Sequence, residues 1–155
     1  MITIKKRLND YPFAHRQHTH DGHCKLIHGH NWDFEFTFAC SELDENGFVY
    51  DFGKLGWLKD LLKQGFDHTL VLSKDDPELQ YFKRVLNNYE GGRPEVHAFA
   101  DIIEVPSCSC EGLAKYVFET VNSGLKRQGN RVWLTAVTVY EDRKNSATYT
   151  EKVDE

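Results

Sequence analysis

Apolar and polar residues alternate most clearly over residues 32–40. The apolar residues take every second position: Trp32, Phe34, Phe36, Phe38 and Cys40. A period of two predicts a β-strand that buries one face and exposes the other. A weaker alternation over residues 2–5 favours a first strand that runs on toward His15.

Two later stretches show the spacing of helices. Leucines recur three or four residues apart between positions 55 and 62, and Gly65 is a typical helix end. Ser109 is a good N-cap residue, and after it apolar residues recur every fourth position: Leu113, Val117, Val121 and Leu125. We therefore predict one helix that ends near Gly65 and another that begins at Ser109. A shorter helix is predicted with Pro77 in its first turn.

The C-terminal part predicts a β-hairpin. Residues 131–141 and 146–153 are rich in β-branched and aromatic residues, and the polar turn 142–145 separates them. With the short helix left aside, the resulting order of two strands, two helices and two strands is typical of an α+β fold. We expect a small antiparallel four-stranded sheet with helices on one face. No repeat or low-complexity linker divides the chain, so residues 1–155 should form a single domain.

Composition and charge narrow the function. Of the 155 residues, 40% are hydrophobic, which suits a folded core, and the net charge of −5 argues against a nucleic-acid-binding protein. No stretch approaches the roughly 20 apolar residues of a membrane span, and the N-terminal residues lack the apolar centre of a signal peptide. We therefore expect a cytoplasmic protein with no nucleic-acid or membrane partner, whose four cysteines do not form disulfides.

Six of the eight histidines lie between positions 15 and 30. His28 and His30 lie two residues apart where a strand begins, so both imidazoles should point to the same face. A third histidine would complete a zinc site with one open coordination position, as catalytic zinc requires. The candidates are His15, His18, His20 and His23. We favour His15, because it ends the first extended segment whereas the others lie in the intervening loop.

Cys24 lies four residues before His28. A nearby dication would make its thiol lose a proton more readily, and the thiolate could then act as a base without being a ligand. The alternative is that the histidine loop is merely solvated. Cys108 and Cys110 lack the second pair that a zinc-finger spacing requires, so we do not expect a second metal there.

Several motifs resemble those of the 6-pyruvoyl-tetrahydropterin synthase family, which includes the 6-carboxy-tetrahydropterin synthases of queuosine precursor synthesis. They follow the family's order over most of the chain: residues 11–15, 24–30, 48–55, 66–72, 109–114 and 137–142. The first two motifs, aromatic-x-x-Ala-His and Cys-x-x-x-His-Gly-His, are the specific ones. The chain departs from the family in three places. Residues 73–106 form a longer segment, Pro106 precedes Glu111 by five residues rather than three, and Gly112 replaces an asparagine.

The resemblance implies an active site that binds Zn²⁺ and 7,8-dihydroneopterin triphosphate. It assigns three sets of residues: metal ligands His15, His28 and His30; catalytic residues Cys24, Asp67 and His68; substrate-binding residues Ser109, Glu111 and Glu141. Glu141 is the expected anchor of the pterin, because a carboxylate can accept two parallel hydrogen bonds from the ring. Arg16 and Lys25 are candidate contacts of the triphosphate.

The resemblance also implies the T-fold, or tunnelling fold, in which small sheets join into oligomeric barrels. Its members commonly assemble as dimers of trimers, that is homohexamers, with active sites between subunits. Asp67 and His68 would then serve the Cys24 of a neighbour. The expected product is 6-carboxy-5,6,7,8-tetrahydropterin, with release of acetaldehyde and triphosphate. The alternatives are a 6-pyruvoyl-tetrahydropterin synthase, a non-catalytic zinc-binding protein and a generic zinc hydrolase.

Overall fold

The computed structural model describes residues 1–87, 99–127, 129 and 131–151. The strands are β1 (Thr3–His15), β2 (His28–Cys40), β3 (Thr69–Ser73), β4 (Asp101–Val105), β5 (Val132–Tyr140) and β6 (Ser146–Thr150). The helices are α1 (Gly56–Gly65), α2 (Leu79–Phe82) and α3 (Cys110–Lys126). Short 3₁₀ turns occupy His23–Lys25 and Phe52–Lys54, and a π-helical turn occupies Lys83–Asn87. The predicted C-terminal hairpin and the two longer helices are therefore confirmed.

The sheet has six strands in the order β4-β3-β1-β2-β5-β6 and is mixed. Strand β2 pairs antiparallel with β1 and β5, and β5 with β6, whereas β3 runs parallel to β1 and β4 runs parallel to β3. The prediction of a four-stranded antiparallel sheet is therefore wrong. It missed β3 and β4 because each has only five residues and, unlike β6, is not joined to its partner strand by a hairpin turn. Strand β3 is also buried along its whole length, so it shows no alternation.

A β-bulge in β1 decides which way the side chains of this strand point. The register with β2 shifts between Leu8 and Tyr11, so that three steps along β1 match two along β2. Asp10 lies in the bulge with a left-handed φ of 69°, and its N–H donates to the Asp33 carboxylate at 2.9 Å. Beyond the bulge, the odd-numbered residues from Tyr11 to His15 are buried.

Helices α1 and α3 cover the apolar face of the sheet. The β2 side chains on that face, from Trp32 to Phe38, are fully buried in one cluster with apolar residues of both helices. Ser109 caps α3 as predicted, since its hydroxyl accepts a hydrogen bond from the Gly112 N–H at 3.0 Å. Helix α2 begins two residues after Pro77. None of the described helices is long and apolar enough to cross a membrane.

Candidate active site

Three histidines and one glutamate converge at one end of the sheet. His15 ends β1, His28 opens β2, and the two are direct partners in the antiparallel register. His30 lies two residues further along the same face of β2, and Glu141 follows the last residue of β5. One nitrogen or oxygen atom of each side chain lies within 4.8 Å of the corresponding atoms of the other three. These four residues can therefore hold a metal ion.

Three of the distances between these atoms suit a tetrahedral site. His15 Nε2 lies 3.1 Å from His28 Nε2 and 3.4 Å from Glu141 Oε1. His30 Nε2 lies 3.2 Å from the same carboxylate oxygen. Ligands about 2.0–2.1 Å from a tetrahedral zinc ion lie about 3.3 Å from one another. Imidazole nitrogens and a carboxylate oxygen are also donors that zinc accepts.

Hydrogen bonds at Nδ1 hold the imidazoles of His15 and His28 in the orientation that a metal ligand needs. His15 Nδ1 lies 2.7 Å from the Cys108 carbonyl oxygen, and His28 Nδ1 lies 2.7 Å from the Leu26 carbonyl oxygen. Because a carbonyl only accepts, each neutral ring donates from Nδ1 and keeps the Nε2 lone pair for a metal. His15 is 4% exposed, and this burial lowers its pKa and favours the neutral ring.

His30 gives a further indication of a metal. Its Nε2 is buried and has no hydrogen-bond partner among the described residues, since the contact with Glu141 does not have hydrogen-bond geometry. A buried polar atom without a partner is costly, and a metal ion at the centre of the cluster would satisfy it. The residues therefore fit a divalent metal ion, and its identity as zinc stays a prediction.

A cleft of about 580 Å³ opens beside the cluster, a volume that suits a small-molecule ligand. Its walls contain five residues that the sequence analysis assigned to the active site: His15, Cys24, Ser109, Glu111 and Glu141. Six others complete the lining: Gln17, His20, Cys110, Lys144, Asn145 and Ser146. The sequence had marked the region around the last three only as a polar turn before a strand, so their place in the cleft could not be predicted from it.

The cleft contains two thiols in different surroundings. Cys24 is exposed on the turn between β1 and β2. Cys110 is half-buried at the start of α3, where burial and the carboxylates of Glu141 and Glu111 raise its pKa to about 11. Its thiol donates to the Val139 carbonyl at 3.3 Å. Cys110 therefore stays protonated near neutral pH, which leaves Cys24 as the candidate base.

Asp67 and His68 lie outside this cleft. They connect α1 to β3, and the His68 N–H donates to the Pro12 carbonyl at 2.8 Å. The His68 side chain is 80% exposed, and its Nδ1 lies 2.7 Å from the Asp67 carboxylate. Within a single chain, the cleft that contains Cys24 is therefore not lined by this pair.

Two further residues have contacts that the sequence did not suggest. Glu141 was predicted to bind the pterin, but its carboxylate lies against the histidine nitrogens and can serve as a fourth metal ligand. Arg16, a candidate triphosphate contact, forms an ion pair with Asp76 at 2.7 Å. Both contacts join segments far apart in the chain, so no local motif signals them.

Comparison with known proteins identifies the family. The profile described as 6-pyruvoyl tetrahydropterin synthase matches residues 3–152. A 6-carboxy-5,6,7,8-tetrahydropterin synthase of Rickettsia typhi is 36% identical over 92 residues, which make up 59% of this chain and 64% of that protein. The match thus spans less than two thirds of the relative's length.

Solved structures share the fold. A Wolinella succinogenes protein gives a TM-score of 0.80 at 22% identity over 97% of this chain and 98% of that chain. A Plasmodium vivax 6-pyruvoyltetrahydropterin synthase gives 0.66 at 20% identity over 99% and 100% of the two chains. These likenesses confirm the predicted T-fold. Since the family profile covers nearly the whole sequence, this protein belongs to the 6-pyruvoyl tetrahydropterin synthase family.

Proposed function

We propose that this protein is a zinc-dependent lyase that converts 7,8-dihydroneopterin triphosphate to 6-carboxy-5,6,7,8-tetrahydropterin, with release of acetaldehyde and triphosphate. Such a product would serve queuosine precursor synthesis. The observation that carries the proposal is the convergence of His15, His28 and His30 beside a cleft that also contains Cys24. The name of the Rickettsia typhi relative supports this product, and the family profile supports a synthase that acts on a pterin.

Each residue of the cleft has its own role in the proposed reaction. Bound zinc would make the side-chain hydroxyls of the substrate, and the neighbouring C–H groups, more acidic. Cys24 as thiolate would accept a proton from that side chain. Ser109 and Glu111 lie at the start of α3 in the same cleft and would bind the polar edge of the ring. Glu141 would turn from the histidines to the ring and accept its amino and N–H hydrogen bonds.

We assign Asp67 and His68 to the active site of a neighbouring subunit. The pair lies outside its own cleft, and the exposed His68 ring is accessible to another chain. The Asp67 carboxylate fixes the tautomer of that ring, which a proton shuttle requires. Among the described strands, β4 and β6 are the edges of the sheet, and such edges suit pairing between subunits. The expected assembly is a dimer of trimers.

Complementation between subunits tests this assignment. Cys24→Ala and His68→Ala proteins should each be inactive alone and should regain part of the wild-type turnover after dissociation and joint reassembly. Some interfaces would then combine an intact Cys24 with an intact His68. Sedimentation shows that oligomers have re-formed, and capture through a tag carried by only one variant shows that they contain both. Mixed oligomers of the correct size without recovered turnover would contradict shared sites.

Product analysis tests the reaction itself. The purified protein is incubated with Zn²⁺ and 7,8-dihydroneopterin triphosphate, and the products are identified by mass spectrometry. A carboxylated tetrahydropterin together with acetaldehyde is expected. A pyruvoyl pterin would instead indicate a 6-pyruvoyl-tetrahydropterin synthase, which the description of the family profile favours. Metal binding without any pterin turnover would leave a non-catalytic zinc-binding protein.

A further inference from the structure

A serine and a cysteine join three segments of the chain behind His15. Ser73 ends β3, and Cys108 lies in the loop between β4 and α3. Ser73 is 2% exposed and Cys108 is 0% exposed, so solvent reaches neither of them. They belong neither to the cluster of His15, His28, His30 and Glu141 nor to the lining of the cleft. Their contacts therefore serve the arrangement of the chain rather than a ligand directly.

Their hydrogen bonds form a compact network. The Cys108 N–H donates to Ser73 Oγ at 3.0 Å, and the Ser73 hydroxyl donates to Cys108 Sγ at 3.2 Å. The Cys108 thiol donates in turn to the Arg16 carbonyl at 3.0 Å. The carbonyl of Cys108 accepts the hydrogen bond from His15 Nδ1 at 2.7 Å. Cys108, in the loop before α3, is thus hydrogen-bonded both to the end of β3 and to the end of β1.

We propose that Ser73 is a positioning residue for the metal centre and acts through Cys108 on His15. This rests on the proposed function, in which His15 is a metal ligand. The Cys108 carbonyl can reach the imidazole because the amide and thiol of the same residue are held by Ser73. That carbonyl fixes the rotation of the ring and the proton on Nδ1, so Nε2 faces the other two histidines.

The network explains why position 73 needs a hydroxyl group. A single side-chain atom accepts from the Cys108 N–H and donates to the Cys108 sulfur, and only a hydroxyl of this size does both. Alanine or valine at position 73 would leave a buried N–H unpaired, which shifts the loop or costs stability. Threonine carries the same hydroxyl group and can make both hydrogen bonds.

Metal affinity is the direct test, because it does not depend on turnover. We measure Zn²⁺ and Co²⁺ binding by competition with a chromophoric chelator. Ser73→Ala should bind about tenfold more weakly, the lower end of the range for outer-shell partners, because Ser73 acts through a second residue. Ser73→Thr and Ser73→Val have the same shape and differ in one hydroxyl group. The threonine variant should bind like the wild type and the valine variant like Ser73→Ala.

Thr69 provides a matched control on the same strand. It is also buried, and its hydroxyl donates to the Phe66 carbonyl, a bond that stays within the turn between α1 and β3. Thr69→Val removes a buried hydroxyl hydrogen bond and should lower the stability while leaving the metal affinity unchanged. The comparison separates positioning of His15 from a general loss of stability.

A second measurement needs no variant that could fail to fold. Long-range ¹H–¹⁵N NMR spectra of the metal-bound wild type should show the His15 proton on Nδ1. Equal affinities of the Ser73→Thr and Ser73→Val variants, or a His15 Nδ1 without a proton, would overturn the proposal. In that case, metal binding and turnover by the wild type would leave the proposed function intact. A wild-type protein that binds no metal would overturn both.

Discussion

Arg16 and Asp76 form an ion pair that explains how the start of α2 is held to the end of β1. Arg16 Nε and Nη2 donate to the two carboxylate oxygens of Asp76, each at 2.7 Å. The Asp76 side chain is fully buried and that of Arg16 is 15% exposed. Asp76 Oδ1 also accepts from the Glu78 N–H at 2.9 Å. The guanidinium is therefore committed to the fold, which argues against its role as a triphosphate contact.

Replacing Arg16 with methionine should lower the free energy of unfolding by several kcal/mol. Methionine retains an apolar stem near Phe82, over whose ring the guanidinium carbon lies at 5.2 Å, but it leaves the Asp76 carboxylate buried without its counter-ion. Breaking a buried pair from one side costs about 3–5 kcal/mol of unfolding free energy. At about 2–4 °C per kcal/mol for a chain of this size, Tm should fall by roughly 6–20 °C. Arg16→Met combined with Asp76→Leu should recover most of the loss, because no unpaired charge remains.

The loss of unfolding free energy in Arg16→Met should be smaller at low pH. Burial acts to raise the pKa of Asp76, but the hydrogen bonds from Arg16 and the Glu78 N–H and the charge of Arg16 outweigh it and hold the pKa below its ordinary value. Such a carboxylate stabilises the fold above the unfolded-state pKa of about 3.9, and this contribution is lost as the pH falls through the folded-state pKa. Without Arg16 that pKa rises, so the deficit of Arg16→Met should be largest near pH 7 and smaller at pH 4.

Urea unfolding at pH 7 and pH 4, at one fixed protein concentration, measures these differences. Lys115→Met is the control, because it breaks an ion pair with Glu119 at 4.0 Å in which both side chains are 58% exposed. Such a surface pair contributes about 0–1 kcal/mol. A loss below 1 kcal/mol for Arg16→Met, together with a raised KM for the pterin triphosphate, would refute the reasoning and return Arg16 to substrate binding.

Three further predictions concern the cleft and its wall. Cys24→Ala should keep its fold and metal content but lose turnover in the product assay, and normal turnover would remove the thiol from the mechanism. Glu141→Gln should raise KM about 10- to 100-fold, the value of a charge-assisted hydrogen bond, whereas a large loss of metal affinity with unchanged KM would make Glu141 a ligand. Gly112→Ala should lower Tm in calorimetry, because its Cβ would lie 2.5 Å from Ser107 atoms and overpacking costs about 1–3 kcal/mol. A raised Tm would show that the loop around Ser107 moves aside without cost.

Elements with strong local patterns could be predicted from the sequence. The period of two in β2 and the capped start of α3 each lie within one continuous stretch, and both are confirmed. The common face of His28 and His30 follows from the same period. Strands β3 and β4 could not be predicted in this way, because their parallel partners lie far away in the chain and five residues carry too little pattern.

The side chains of the candidate site could be predicted from the sequence, but the contacts that orient them could not. Histidines, a cysteine and carboxylates are visible in the sequence, and five of the predicted residues line one cleft. The hydrogen bond that orients His15 comes from the backbone carbonyl of Cys108, and every residue type offers such a carbonyl. The contact of Glu141 with the histidines depends on how β5 is aligned with β2, which depends on the whole sheet.

The direction of the His15 side chain depends on an irregularity earlier in its strand. Before the bulge of β1, even-numbered residues such as Ile4 pack against the core, whereas beyond it the odd-numbered residues are buried. Unbroken alternation from Ile4 would turn His15 to the face opposite the two histidines of β2, where it could share no metal with them. The extra residue at the bulge reverses this parity, and the Asp33 carboxylate holds the left-handed backbone of Asp10 in place. The convergence of His15, His28 and His30 therefore depends on the backbone conformation at Asp10 as well as on the three imidazoles themselves.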